Sequence, residues 1–265
     1  MRVFRPIRSR AAQLSLALLI VVGCALALWW YFVLRDSATP LSVESALERY
    51  RSESVRTGEQ SVGEVPEPGV YVYATKGFEA IDALLGSRPD YPAHTTITVE
   101  PGGCGLLLRW DALTDRSTTW NLCPRPGGWR IDDYREVHRF FGQTERTTYR
   151  CVAESIWAPA SLATGTTFER RCSTSGTTET TMGRVVGADT LRVGAGVVQT
   201  AHIALFLTLD GRTRGTGTMD IWLATANGLV VRLFLTNHNE SESAIGAVRY
   251  AESARLDLVS LQPRR

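Results

Sequence analysis

The chain has 265 residues, 44% hydrophobic and 21% charged, with 29 basic groups against 27 acidic ones. The first 34 residues hold four of the basic groups and no acidic one, so the rest carries 25 against 27. That balance, with no Lys/Arg-rich run, leaves nothing to grip a phosphate backbone and excludes a nucleic-acid groove.

Residues 1–10 read as a cytoplasmic tail and 11–34 as a transmembrane helix. Between Arg10 and Arg35 lie 24 uncharged residues, which as a helix would span about 36 Å and cross a hydrocarbon core of about 30 Å. Arg2, Arg5, Arg8 and Arg10 stand before the run without an acid, whereas Arg35 and Asp36 cancel after it. The positive-inside rule therefore puts the N-terminus in the cytoplasm and the remainder outside. Trp29, Trp30, Tyr31 and Phe32 fall where an interfacial aromatic belt belongs. A cleaved signal peptide would have a much shorter apolar region. Val21-Val22-Gly23-Cys24 resembles a bacterial lipobox, but a lipoprotein would turn polar after the cysteine, and Ala25–Leu34 stays apolar.

Residues 35–68 form a juxtamembrane helix and linker. Val43, Ala46, Leu47 and Tyr50 recur at helical spacing opposite Glu44, Glu48, Arg49 and Arg51, with Ser42 or Thr39 as the cap. Ser52–Pro68 has the Ser, Gly, Glu and Pro content of a flexible linker.

Residues 69–265 read as one extracytoplasmic antiparallel β domain. Short strand signals begin at Val70–Ala74 and recur at Thr95–Val99, Leu106–Trp110, Thr118–Leu122, Trp129–Ile131 and Thr147–Val152. Phe78–Gly86 fits either a strand or a helical turn. In the second half, Ile203, Leu205, Leu207 and Leu209 form a strict period-two stripe. Met219, Ile221 and Leu223 form the next, and Leu229, Val231, Leu233 and Leu235 the third, with hairpin turns at Asp210-Gly211 and Asn227-Gly228. Asn237–Ala247 reads as a polar loop and Leu256–Leu261 as the closing strand. The expected fold is mainly β, a meander sheet shaped as a half-barrel or a sandwich.

Cys104, Cys123, Cys151 and Cys172 are an even set in an exported domain, so they read as disulfides. Three connectivities exist; Cys104–Cys123 and Cys151–Cys172 are favoured because each pair could sit on neighbouring strands. No two have the short spacing of a zinc knuckle.

No nucleophile elbow, metalloprotease helix, phosphate loop or dinucleotide fingerprint occurs. His94, His138, His202 and His238 are scattered. Asp132-Asp133 beside Tyr134 and His138 is the densest polar cluster, but adjacent carboxylates on a strand face opposite ways. Neither an enzyme nor a cofactor or metal is expected. Trp110, Trp120 and Trp222, with Leu205 and Leu233 from the stripes, are the candidates to line an apolar pocket, against core packing as the plainer role.

Pro68-Gly69-Val70-Tyr71-Val72-Tyr73, Gly103-Cys104-Gly105, Phe140-Phe141-Gly142 and Gly215-Thr216-Gly217-Thr218 resemble a family of membrane-anchored actinobacterial proteins of unknown function. More distantly, the second half resembles the LolA- and LppX-type envelope proteins, which implies a curved sheet around a lipid cavity. The leading expectation is a single-pass envelope protein that binds a hydrophobic or lipidic ligand. The alternative is a protein-interaction or assembly module with a solid core and no pocket.

Overall fold

The computed structural model describes residues 10–35, 39–54, 65–82, 86–126, 128–140, 143–243 and 246–265. The chain divides into two compact units, Met1–Ser37 with Arg139–Gln143, and Ala38–His138 with Thr144–Arg265.

In the first unit, α1 (Arg10–Arg35) is one uninterrupted helix. Its segment Leu14–Tyr31 has a mean hydropathy of 2.2 and is long and apolar enough to cross a membrane. Cys24 lies within it as an exposed free thiol, and the helix continues past it.

The second unit opens with α2 (Val43–Ser54), capped by Ser42, whose Oγ accepts from the Ser45 amide at 3.0 Å. Ala46 and Tyr50 bury against Val70. Arg49 pairs with Asp111 at 3.0 Å and Glu53 with Arg109 at 3.1 Å, which fixes the helix on the outer face of the sheet. Most of the expected linker, residues 55–64, lies outside the described residues.

Thirteen strands follow: β1 (Gly69–Ile81), β2 (His94–Gly102), β3 (Gly105–Leu113), β4 (Arg116–Arg125), β5 (Gly128–Phe140), β6 (Gln143–Cys151), β7 (Ile156–Pro159), β8 (Thr167–Thr174), β9 (Thr177–Val193), β10 (Gly196–Gly211), β11 (Thr213–Ala224), β12 (Val230–Ser243) and β13 (Gly246–Leu258). Neighbours in sequence pair as antiparallel hairpins over most of this run. Two long-range pairings then change the architecture. β1 joins β13, with Tyr73 opposite Leu258 and Ile81 opposite Tyr250, and β6 joins β8 at Arg150↔Ser173 and Cys151↔Cys172. With the β4–β5 and β5–β6 pairings the ring closes, and among the described residues only β7 stands off it, on β5.

The fold is therefore a closed barrel of twelve antiparallel strands, which corrects the expected half-barrel or sandwich. Closure depends on the first strand meeting the last, and no local hydrophobic pattern encodes that contact. The strands also run longer than their apolar stripes. Of the segment Asn237–Ala247, read as a loop, Asn237–Ser243 is the far half of β12 and Gly246 and Ala247 begin β13, and Phe78 continues β1. In the upper half of β12 the inward positions Asn237, Asn239 and Ser241 are polar, so the stripe ends where the strand does not.

Barrel width grows with strand number, and about eight strands leave a bore that ordinary side chains just fill. Twelve need larger fillers. Tyr71, Tyr73, Trp110, Trp120, Tyr134 and Trp157 join the leucine stripes in one core cluster. Outward positions such as Glu169, Arg171, Arg184 and Arg255 are exposed and charged, a wall suited to water rather than to acyl chains. Disulfides join Cys104 to Cys123 and Cys151 to Cys172.

Candidate functional site

Two features break the pattern of an apolar bore: a belt of charged side chains inside the barrel and a pocket at its rim. The belt arises from alternation. Glu79 falls in phase with the inward Tyr71, Tyr73 and Thr75; Glu252 with Ala254 and Leu256; and Arg116 with Thr118, Trp120 and Leu122. Because β1 and β13 pair, Glu79 and Glu252 stand directly opposite each other. Arg116 lies between them, its Nη2 donating to Glu252 at 2.7 Å and its Nε 3.4 Å from Glu79. Tyr91 donates to Glu252 at 2.5 Å, and Asn237 Nδ2 donates to the other carboxylate oxygen at 3.1 Å. Glycines make room for that reach. A Cβ at Gly217 would stand 2.2 Å from Asn237 Oδ1, and one at Gly215 would stand 2.4 Å from Asn239 Oδ1.

His138 extends the belt, with Nδ1 3.4 Å from Glu79 and Nε2 3.8 Å from Glu136. On the far wall, Glu179 accepts from Tyr134 and from Thr181, and Arg170 lies 3.3 Å from it. Burial pushes the phenols of Tyr91 and Tyr134 well above their usual range, and the adjacent Glu252 and Glu179 carboxylates add to that. For His138, burial and Arg116 both oppose the charge, yet its hydrogen bonds to Glu136 and Glu79 prevail and raise its pKa. Burial likewise opposes the charge on Glu136, but the His138 contact outweighs it and lowers that pKa.

The pocket, about 890 Å³, lies where the bridge between Ile81 and Ser87 meets the ends of β11, β12 and β13. Both faces of the strands contribute, so it sits across the rim. Ala80, Ile81 and Ala251 give it apolar wall; Arg88, Arg214, Arg249 and Asn239 give it polar groups. Tyr250 joins the two features, lining the pocket while its hydroxyl lies 3.4 Å from Glu79.

The residues expected to line an apolar pocket are not among those that line the rim pocket. Trp110, Trp120, Leu205 and Leu233 point into the bore in one packed cluster, Trp110 and Leu233 each 1% exposed. Trp222 belongs to the same buried cluster but alternates with the inward Ile221. Its ring stacks on His202 at 4.1 Å, and its Nε1 donates to Asp189 at 3.1 Å. The polar cluster expected around Asp132-Asp133 separates. Asp132 pairs with Arg130 at 2.8 Å and Asp133 accepts from Asn121 at 3.0 Å, whereas His138 belongs to the belt. Sequence reasoning missed Glu79, Arg116, Glu252 and the rim arginines. The available signal was phase: each belt residue is a charge at an inward position of its own strand.

No protein-family model matches the chain, and no curated protein matches it. Among solved structures, the hypothetical lipoprotein YmcC from Escherichia coli K12 aligns over 85% of this chain and 100% of that one, at 12% identity. The TM-score is 0.36, too low to define a shared fold.

Proposed function

We propose that this chain is a membrane-tethered protein of the cell envelope whose barrel stands outside the cytoplasmic membrane and binds an amphiphilic ligand at its rim, without catalysis. The apolar helix α1 and the arginine bias before it support the tether and its direction. Two disulfides suit an oxidising compartment.

The observation that carries the ligand reading is the contrast between a filled bore and an open rim. The leucine stripes are packed against aromatic rings in one buried cluster, so side chains occupy the apolar part of the bore. The rim pocket has a volume within the range of small-molecule sites, with apolar wall beside polar groups. The absence of catalysis is supported by access, since Glu79, Glu252 and Arg116 are almost wholly buried and packed into one another.

The test is native mass spectrometry of the full chain released from lipid nanodiscs. An amphiphile retained by the wild type and lost on Ala251→Trp, which narrows the pocket, is the expected result. Equal retention by both would overturn the reading. The filled bore also favours a second reading, a protein-interaction module, and absence of any retained ligand would leave that one standing.

A further inference from the structure

The rim pocket holds three arginines, and their partners differ. Arg249 is committed, its Nε 3.0 Å from Glu240 and its Nη1 3.7 Å from Asp82. Glu240 is the cross-strand partner of Arg214 in register, but its carboxylate is taken by Arg249. Arg214 is left with no hydrogen bond or ion pair among the described residues. Arg88 stacks its guanidinium 3.9 Å over the Phe78 ring, and among the described residues it also has no carboxylate partner. Stacking occupies the face of a guanidinium and leaves its in-plane N–H donors unused. The two acids of the pocket thus neutralise one arginine, and two remain. Asn239 adds a buried amide oxygen with no hydrogen-bond partner.

We infer that the rim pocket recognises a phosphate-type anion, Arg88 and Arg214 taking the anionic oxygens and Asn239 Oδ1 accepting from a neighbouring hydroxyl of the same ligand. The inference rests on the rim-pocket reading above and names the polar end of its amphiphile. Guanidinium donors match the oxygens of a phosphate in geometry and charge. A cation is disfavoured, because Asp82 and Glu240 are already spent on Arg249. The phosphate could belong to a lipid headgroup or to a free phosphorylated solute, and the experiment separates them.

The full chain in phosphatidylcholine nanodiscs is titrated calorimetrically with glycerol 3-phosphate and with glycerol. In parallel, nanodiscs containing phosphatidylglycerol are assayed for retained lipid by native mass spectrometry. The wild type should take glycerol 3-phosphate and not glycerol, more weakly as salt rises. The double variant Arg88→Gln/Arg214→Gln should lose at least tenfold in affinity, with its melting temperature lowered only slightly by loss of the Arg88–Phe78 stack, because neither arginine supports an ion pair. Asn239→Ala should weaken binding less. Selective retention of phosphatidylglycerol, abolished in the double variant, would assign the anion to a lipid; binding of glycerol 3-phosphate without such retention would assign it to a solute. Equal binding by wild type and double variant, or none by the wild type, overturns the inference. If lipid is retained without headgroup preference and lost only on Ala251→Trp, the anion site falls and the rim pocket stands. If Ala251→Trp changes nothing either, both fall.

Discussion

At the scale of single residues, the barrel depends on a buried charge arrangement that cannot lose one member cheaply. Arg116 faces Glu252 and Glu79 in the bore, with Thr118 accepting from its Nη1 at 2.8 Å. Replacing a whole buried ion cluster by hydrophobic residues is often neutral, but removing one partner strands the others without water or counter-charge. Arg116→Met should therefore destabilise the barrel by about 3–5 kcal/mol, measured by urea unfolding. Leu233→Ala belongs to a different mechanism. With the side chain 1% exposed, it should cost about 2–5 kcal/mol by leaving a cavity. The His138–Glu136 pair adds a pH signature. The His138 pKa is raised above its ordinary 6.5, so its contribution is fully present below that value and is lost as pH rises through the raised one. The Glu136 pKa is lowered from 4.5, so its contribution is present above 4.5 and is lost as pH falls through the lowered value. The stability difference between wild type and His138→Gln should thus be largest between about pH 4.5 and 6.5 and shrink on either side. A difference independent of pH would show that the imidazole is neutral in the folded state.

At the scale of elements, what the sequence made legible follows the reach of each signal. The stripe Ile203, Leu205, Leu207, Leu209 belongs to β10, and Asn227-Gly228 lies in the turn between β11 and β12, because both signals are local. The upper half of β12 was illegible because Asn237, Asn239 and Ser241 occupy its inward positions, and polar residues in both phases look like a loop. Gly215 and Gly217 belong to the same design, since their missing side chains let the asparagines lie inward. The β6–β8 seam is the weak point of the ring, pairing at Arg150↔Ser173 and Cys151↔Cys172, the second reinforced by a disulfide. By contrast the β9–β10 hairpin pairs from Gly196↔Val193 to Gly211↔Thr177. Cross-links that close loops of this size are worth about 3 kcal/mol in the chain-entropy model. Cys151→Ser/Cys172→Ser should lower stability by about that amount and raise amide exchange in β6 and β8 well before β9 and β10. Uniform acceleration over all strands would show that the seam is not the first place to open.

At the scale of the whole molecule, closure and topology are the properties that no single element carries. Closure rests on β1 and β13, separated by most of the chain, so it was out of reach of any pattern read along the sequence. The proposed topology is different, because it rests on charges read along the sequence. Arg2, Arg5, Arg8 and Arg10 precede an apolar segment with no balancing acid, and the positive-inside rule converts that asymmetry into direction. The direction has a chemical consequence at the other end of the chain. Outside the cytoplasm Cys104–Cys123 and Cys151–Cys172 persist, whereas in the cytoplasm they would be kept reduced. Thiol state in the cell therefore reports orientation. After quenching in acid and alkylation without reductant, the wild-type chain should take label at Cys24 alone, the one free cysteine. Changing the four N-terminal arginines to glutamate should invert part of the population, and that part should take label at the four barrel cysteines as well. A reporter fused after Arg265 and active only when exported should fall in proportion. If the wild type labels at all five cysteines, both the outward orientation and the oxidised barrel are wrong together. If the arginine variant stays fully oxidised, the charges before α1 do not set the direction, and the tether would have to be oriented by the barrel itself.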